Sequence, residues 1–193
     1  MAQSTGINKI KIAVFFSGNG SNLKSLIKFS NKKKSPIFIE MIITDNPKAK
    51  GLKFGKIFKI KSKLVNYSKK NLAEKIIISE LEKYNVKFIC LAGFMKIISK
   101  KFIKRFKGKI LNIHPSLLPK YKGLNTHERV IKNNEKFSGC TVHFVNSNLD
   151  SGKIILQKKV RINRKDTPKK LAKKILIQEH KLYPRAIMKV LSP

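Results

Sequence analysis

Lys11-Ile12-Ala13-Val14-Phe15-Phe16-Ser17-Gly18-Asn19-Gly20-Ser21-Asn22 is the stretch from which the fold can be read. Its first half is a near-continuous apolar run, the kind found in strands buried on both faces. Its second half is small and polar and gives way to Leu23, Leu26 and Ile27 at helical spacing, so the chain passes from a strand through a glycine turn into a helix. The lysines at 32–34 suit the carboxyl end of that helix. A second apolar run at 37–44 completes a strand–loop–helix–strand unit, for which a right-handed parallel crossover is the default topology.

The alternation continues outward from this unit. A short helix is expected at 49–58, a strand at 61–65, and a better helix at 71–84 with Leu72, Ile76 and Leu81 as its apolar positions. A buried strand at 86–92 stops at Gly93, and a short helix at 99–106 leads to a strand at 109–113. Past a proline-rich turn at 115–119 come a helix at 126–133 and strands at 140–145 and 154–162, joined by a loop around Asp150. A last helix should open at Asp166-Thr167-Pro168, which supplies an N-cap and a proline in the first turn, and run to about Val190. Pro184 inside it predicts a kink or a break. The pattern predicts an α/β fold: a single domain with a doubly wound, mostly parallel, Rossmann-like sheet and a C-terminal helix.

Composition bounds the function. At 193 residues the chain is the size of one domain, and 41% hydrophobic residues argue against disorder. The first apolar run is too short for a signal-peptide core or a membrane span, so a cytoplasmic protein without a membrane partner is expected. Cys90 and Cys140 lie far apart with no Cys-x-x-Cys, which predicts free, buried thiols rather than a zinc site or disulfide framework. The charge is +34, from 44 Lys and Arg against 10 Asp and Glu. One reading is a field that attracts polyanions such as phosphorylated or polyglutamylated substrates. The other is compositional drift over solvated faces, favoured by the scatter of the lysines and by the presence of only five arginines, the side chain best suited to forked phosphate contacts. No specific nucleic-acid partner is expected.

Three motifs carry chemistry. Gly18 and Gly20 permit a backbone that brings N–H groups near an anion, Ser21 and Asn22 add donors, and a helix N-terminus adds partial positive charge, which suits a phosphate monoester. The same glycines could serve only a tight turn. The loop is neither a dinucleotide fingerprint nor a Walker loop. Asn112 and His114 stand two apart at the carboxyl end of a strand and so project from one face, where open α/β sheets collect ligands. An amide donor beside an imidazole is what acyl transfer needs, one group for a developing oxyanion and one to move protons. The alternative is a core histidine beside a strand-end cap. Asp150 could orient His114 or accept a proton through water, or it could be a turn Asp before Ser151-Gly152. His143 reads as packed inside a strand and His127 as structural or supporting. Gly-x-Ser-x-Gly and metal-binding boxes are absent, so neither a covalent nucleophile nor a metal is predicted.

These segments, together with Leu91-Ala92-Gly93-Phe94-Met95, Leu111 through Pro119, Thr141-Val142-His143-Phe144-Val145, Leu149-Asp150 and Gln178-Glu179-His180, resemble the phosphoribosylglycinamide formyltransferases, a folate-dependent formyltransferase family. The resemblance spans nearly the whole chain, from about Lys11 to Tyr183. It implies transfer of a formyl group from 10-formyltetrahydrofolate, as co-substrate and without a metal, to the primary amine of glycinamide ribonucleotide, in purine biosynthesis. By match to the family pattern Gly20, Ser21, Asn22 and Glu179 would hold the ribonucleotide. Lys70, Met95, Lys96, Ile97, Ile98, Asn112, Asn146, Leu149 and Asp150 would line the folate, and Asn112, His114 and Asp150 would be catalytic. Residues 1–9 would be a flexible leader, 11–110 the nucleotide-binding half and 111–193 the catalytic and folate-binding half of one domain. A monomer or weak homodimer is expected. The related methionyl-tRNA formyltransferases and formyltetrahydrofolate deformylases carry additional domains for which 193 residues leave no room. Three departures stand out: Lys70 replaces an arginine usual on the folate side, Ser151 stands where glycine is usual, and the C-terminus is short.

Overall fold

The side chains of Ile12 to Phe16 are fully buried because their strand lies inside a sheet covered on both faces. The computed structural model describes residues 9–192, so the leader anticipated at 1–9 falls, apart from Lys9, outside the described residues. In chain order the elements are β1 (Ile10–Phe16), α1 (Ser21–Ser30), β2 (Ile37–Thr44), α2 (Leu52–Ile57), β3 (Lys61–Leu64), a 3₁₀ turn (Tyr67–Lys69), α3 (Lys70–Lys83), β4 (Phe88–Leu91), α4 (Lys100–Arg105), β5 (Lys109–His114), α5 (Thr126–Lys132), β6 (Phe137–Phe144), β7 (Ile154–Arg161) and α6 (Pro168–Leu191). Seven strands form one sheet in the order β3-β2-β1-β4-β5-β6-β7. Pairing is parallel from β3 to β5 and antiparallel for β5–β6 and β6–β7. The two halves anticipated on either side of position 110 thus share one sheet, and β5 itself lies across that boundary.

Period-two alternation sorts the central strand between two cores. Ile12, Val14 and Phe16 pack with Leu23, Leu26 and the α6 residues Leu171, Ile175 and Tyr183. Ala13 and Phe15 face the other way, onto Ala73, Ile77 and Leu81 of α3 and Phe102 of α4. Strand order reverses between β1 and β4, so the loops after β1, β4 and β5 open at one sheet edge beside this switch point, where ligands of open α/β sheets bind. Among the described residues, no helix is long and apolar enough to cross a membrane.

Two expectations need correction. On α3 the buried stripe is Ala73, Ile77, Ile78 and Leu81 together with Glu74, whereas Leu72 and Ile76 are exposed. The sheet takes the wider stripe, and Glu74 is tolerated in it because its carboxylate accepts hydrogen bonds from the backbone and hydroxyl of Ser99. Of the kink or break expected at Pro184, the break does not occur, since α6 is continuous from Pro168 to Leu191. Proline leaves the carbonyl four residues earlier, that of His180, without its helical donor. Ser25 of α1 supplies the missing bond, its hydroxyl donating to that carbonyl at 3.0 Å. Other boundaries move by a few residues: β5 extends to His114, and β6 starts at Phe137, ahead of the expected Cys140.

The Ser25–His180 bond yields a double-mutant cycle. Ser25→Ala should cost about 1 kcal/mol in urea unfolding, since it strands an acceptor. In a Pro184→Ala background, where residue 184 regains an N–H for the same carbonyl, the cost of Ser25→Ala should fall toward zero. Equal costs in the two backgrounds would show that the bond does not compensate for the proline.

Candidate functional site

The β1–α1 turn is shaped by two glycines in contact. Gly20 is the α1 N-cap in the left-handed region (φ 70), and a Cβ there would sit 2.8 Å from the Gly51 Cα. Because no side chain caps α1, its first-turn N–H groups have no side-chain acceptor, the condition an anion site requires. Asn22 points elsewhere. Its Nδ2 donates to Glu179 Oε2 at 2.7 Å, a buried bond between α1 and α6, while its Oδ1 is buried without a partner. Burial raises the Glu179 carboxyl above the ordinary value of 4.5, and the bond from Asn22 opposes that only in part.

Asp150 occupies the β6–β7 connection with a left-handed backbone (φ 46) and is only 9% exposed. The Gly123 N–H donates to its Oδ2 at 2.9 Å, Asn112 Nδ2 donates to its Oδ1 at 3.3 Å, and His114 Nδ1 lies 3.3 Å from Oδ2. His143 Nε2 stands 3.6 Å from Oδ1 and 3.2 Å from Asn112 Nδ2. The partners fix the proton positions. His143 Nδ1 is 2.8 Å from the Phe144 carbonyl and must donate to it, which in the neutral ring leaves Nε2 as an acceptor for Asn112. The Asn112 amide therefore faces two acceptors, and both its hydrogens are engaged. His114 Nε2, 2.8 Å from the Tyr121 carbonyl, must likewise donate, so Nδ1 is the position that gains or loses a proton against Asp150.

The energetics of the pair pull in opposite directions. Burial is the largest influence on His114 and takes its ring below the ordinary value of 6.5, although the Tyr121 carbonyl and the Asp150 charge push it back up. Burial raises Asp150, but the His143 ring beside it, the hydrogen bond from the Gly123 N–H and the charge either ring carries when protonated outweigh it and hold the carboxyl below 3.8. An ionised Asp150 against a neutral Nδ1 sets two lone pairs face to face, a conflict that protonating the ring removes. The site is poised to take a proton at Nδ1 whenever more negative charge arrives.

This cluster forms the floor of a cleft of about 1170 Å³ that reaches from Asn22 and Glu179 to the 146–150 loop. Met95, Lys96, Ile97, Ile98, Asn146 and Leu149 line it, whereas Gly20 and Ser21 stand beside it at the α1 entrance and Lys70, which opens α3, is not among its walls. Ser151 fits without left-handed angles, its hydroxyl donating to the Leu149 carbonyl at 2.8 Å. Gly152 is the residue that must lack a side chain, since a Cβ would lie 1.7 Å from the Phe144 carbonyl oxygen. Sequence reasoning missed three contributors. His143 belongs to the cluster because the antiparallel register sets it opposite Asn112. Gly123 and Tyr121 act through backbone atoms, which no side-chain pattern reveals. Leu124, Thr167 at the N-cap of α6 and Leu176 within α6 add walls. His127 lines the cleft with a buried, unpartnered Nδ1. Cys90 and Cys140 are free and buried.

The comparisons with known proteins fall on the same segments. The sequence model of the formyl transferase family matches residues 10–187. The chain is 42% identical to the phosphoribosylglycinamide formyltransferase of Haemophilus influenzae, over 92% of the chain and 85% of that protein. It is 40% identical to the human trifunctional purine biosynthetic protein adenosine-3 over 95% of its own length. It spans less than a fifth of the length of the trifunctional relatives it matches. The crystal structure of phosphoribosylglycinamide formyltransferase from Brucella melitensis superposes with a TM-score of 0.91 at 36% identity, covering 96% of the chain and 97% of that one.

The buried Glu179 carboxylate has a thermodynamic signature. An acid raised by burial weakens the fold once it ionises, so the cost is absent below 4.5, grows as pH rises past that value, and is complete above the raised folded value. Glu179→Gln keeps an acceptor for Asn22 and removes this cost. The Tm difference between the variant and the parent should therefore increase from pH 4 upward, and a pH-independent difference would contradict the assignment.

Proposed function

The chain belongs to the formyl transferase family, and from that premise we propose that it moves the formyl group of 10-formyltetrahydrofolate onto the primary amine of glycinamide ribonucleotide. The single observation carrying the proposal is the Asn112–His114–Asp150 cluster on the floor of a cleft with two chemically different ends. One end, at the mouth of α1 and the Asn22–Glu179 pair, offers N–H donors and buried polar atoms suited to a phosphate and a hydroxylated sugar. At the other, Met95 (64%), Ile97 (67%), Leu124 (73%) and Leu149 (53%) are large apolar side chains exposed to solvent, an expanse that fits a flat aromatic ligand such as a folate.

In this reading Gly20, Ser21 and Asn22 hold the ribonucleotide with Glu179, and Met95 to Ile98 and the 146–150 loop hold the folate. The acceptor amine attacks the formyl carbon, a new C–N bond forms, and the C–N bond to the folate nitrogen breaks as that nitrogen takes the proton the amine gives up. Asn112 and His114 stabilise the charge that develops on the formyl oxygen. Their contacts of 3.2 and 3.3 Å are long, so an anionic oxygen can displace the present acceptors, and its charge raises the affinity of His114 for the Nδ1 proton. Asp150 holds the ring in place, favours its charged form, and passes the amine proton onward through water.

The assay mixes the protein with both substrates, follows folate absorbance, and omits each substrate in turn. Turnover should require the ribonucleotide, and folate consumption without it would instead indicate a hydrolase. Asn112→Ala and Asp150→Asn should each lower kcat by a hundredfold or more, the loss of roughly 3 kcal/mol expected when an oxyanion donor is removed. Near-normal turnover in either would overturn the assignment.

A further inference from the structure

Ser17 follows β1 directly, just before the Gly18–Asn22 turn, and it is bound twice to the loop after β4. Its N–H donates to the Gly93 carbonyl at 3.0 Å, and its hydroxyl oxygen accepts from the Met95 N–H at 2.8 Å. The hydroxyl gives its one hydrogen to Asp45 Oδ1 at 2.5 Å, so the carboxylate sets the rotamer that lets Ser17 accept from Met95. Asp45 is itself only 8% exposed in its side chain and reaches Lys96, the next residue of the same loop, at 3.5 Å. The neighbouring Asn46 donates from Nδ2 to the Ser17 carbonyl at 2.9 Å. The far end of the loop is tied as well, by the Ser99 bonds to buried Glu74. Nothing in the chemistry of the cluster around Asp150 requires this second network.

We infer that Ser17 and Asp45 are positioning residues that lock the folate-side loop (93–98) to the phosphate-side turn (18–22), so that a ligand ordering one segment favours the other. The inference rests on the substrate placement proposed above. A displacement of Met95 has to break or drag the Ser17 hydroxyl, and Ser17 is one residue from the turn, so two sites on different strands share one set of hydrogen bonds. A ligand that fixes either segment removes freedom from both, and the second ligand then meets a more ordered site. By linkage the effect is reciprocal.

The test titrates the full chain calorimetrically with glycinamide ribonucleotide and tetrahydrofolate, a pair that cannot react because the formyl group is missing, each alone and in the presence of the other. In the parent protein each ligand should tighten the other by at least about fivefold. Ser17→Ala and Asp45→Ala should reduce that factor to near one while each ligand still binds alone. Asp45→Asn, whose Oδ1 can still accept from Ser17, should keep most of it, and the Asp45 pair of variants carries the comparison if Ser17→Ala does not fold. An unchanged factor in Ser17→Ala or Asp45→Ala, or none in the parent protein, would overturn the inference. Failure of the parent protein to bind either ligand alone would overturn the proposed function, and this inference with it.

Discussion

The buried Asp150 carboxylate is the constraint on which the rest of the site depends. It accepts from a backbone N–H and an amide, stands against two imidazoles, and is held in a left-handed conformation that few non-glycine residues adopt without cost. Remove its charge and the Asn112 amide loses one of the two acceptors that orient it. His114 would lose one of the two groups that oppose the effect of its burial, the other being the Tyr121 carbonyl, and the Gly123 turn would lose its anchor. Its partners more than offset the cost of burying the charge, so one carboxylate stays ionised where water scarcely reaches and orders the groups around it.

The fold exists to bring that carboxylate to the right edge. Parallel pairing across β1, β4 and β5 opens their following loops at the same end of the sheet, and the antiparallel return of β6 places His143 and then Asp150 over β5. Helix α6 closes the same core and delivers Glu179 to Asn22. At Pro184 it takes a hydroxyl bond from α1, so the two helices that frame the Asn22–Glu179 end of the cleft are joined by polar as well as apolar contacts.

Local pattern made much of this legible. The buried character of β1, the glycine turn, and Asn112 and His114 on one face follow from periodicity and spacing, and the structure unites Asp150 with that pair. What stayed hidden depends on long-range pairing. His143 looks like any strand histidine until the β5–β6 register is known. The stripes of α3 differ by one residue in phase, and only the sheet beneath decides between Leu72-Ile76 and Ala73-Ile77. Tyr121 and Gly123 contribute main-chain atoms, for which side-chain identity carries no signal. Carboxylates are informative in so basic a chain: Glu40, Asp45, Glu74, Asp150 and Glu179 are all nearly buried as side chains or whole residues, and each has specific partners. The lysines, by contrast, mostly face solvent with few acids to pair with, which accords with drift over solvated faces.

Asp150, with the Tyr121 carbonyl, holds the protonation of His114 against the pull of burial, and Asp150 is the only charge that does so. The most direct measurement is the titration of the His114 ring by NMR in the parent protein and in Asp150→Asn. The ring should titrate below 6.5 in the parent and lower still in the variant, because the one charge that favours the imidazolium is gone. A ring that titrates at the same pH in both proteins would show that Asp150 has no such hold on His114.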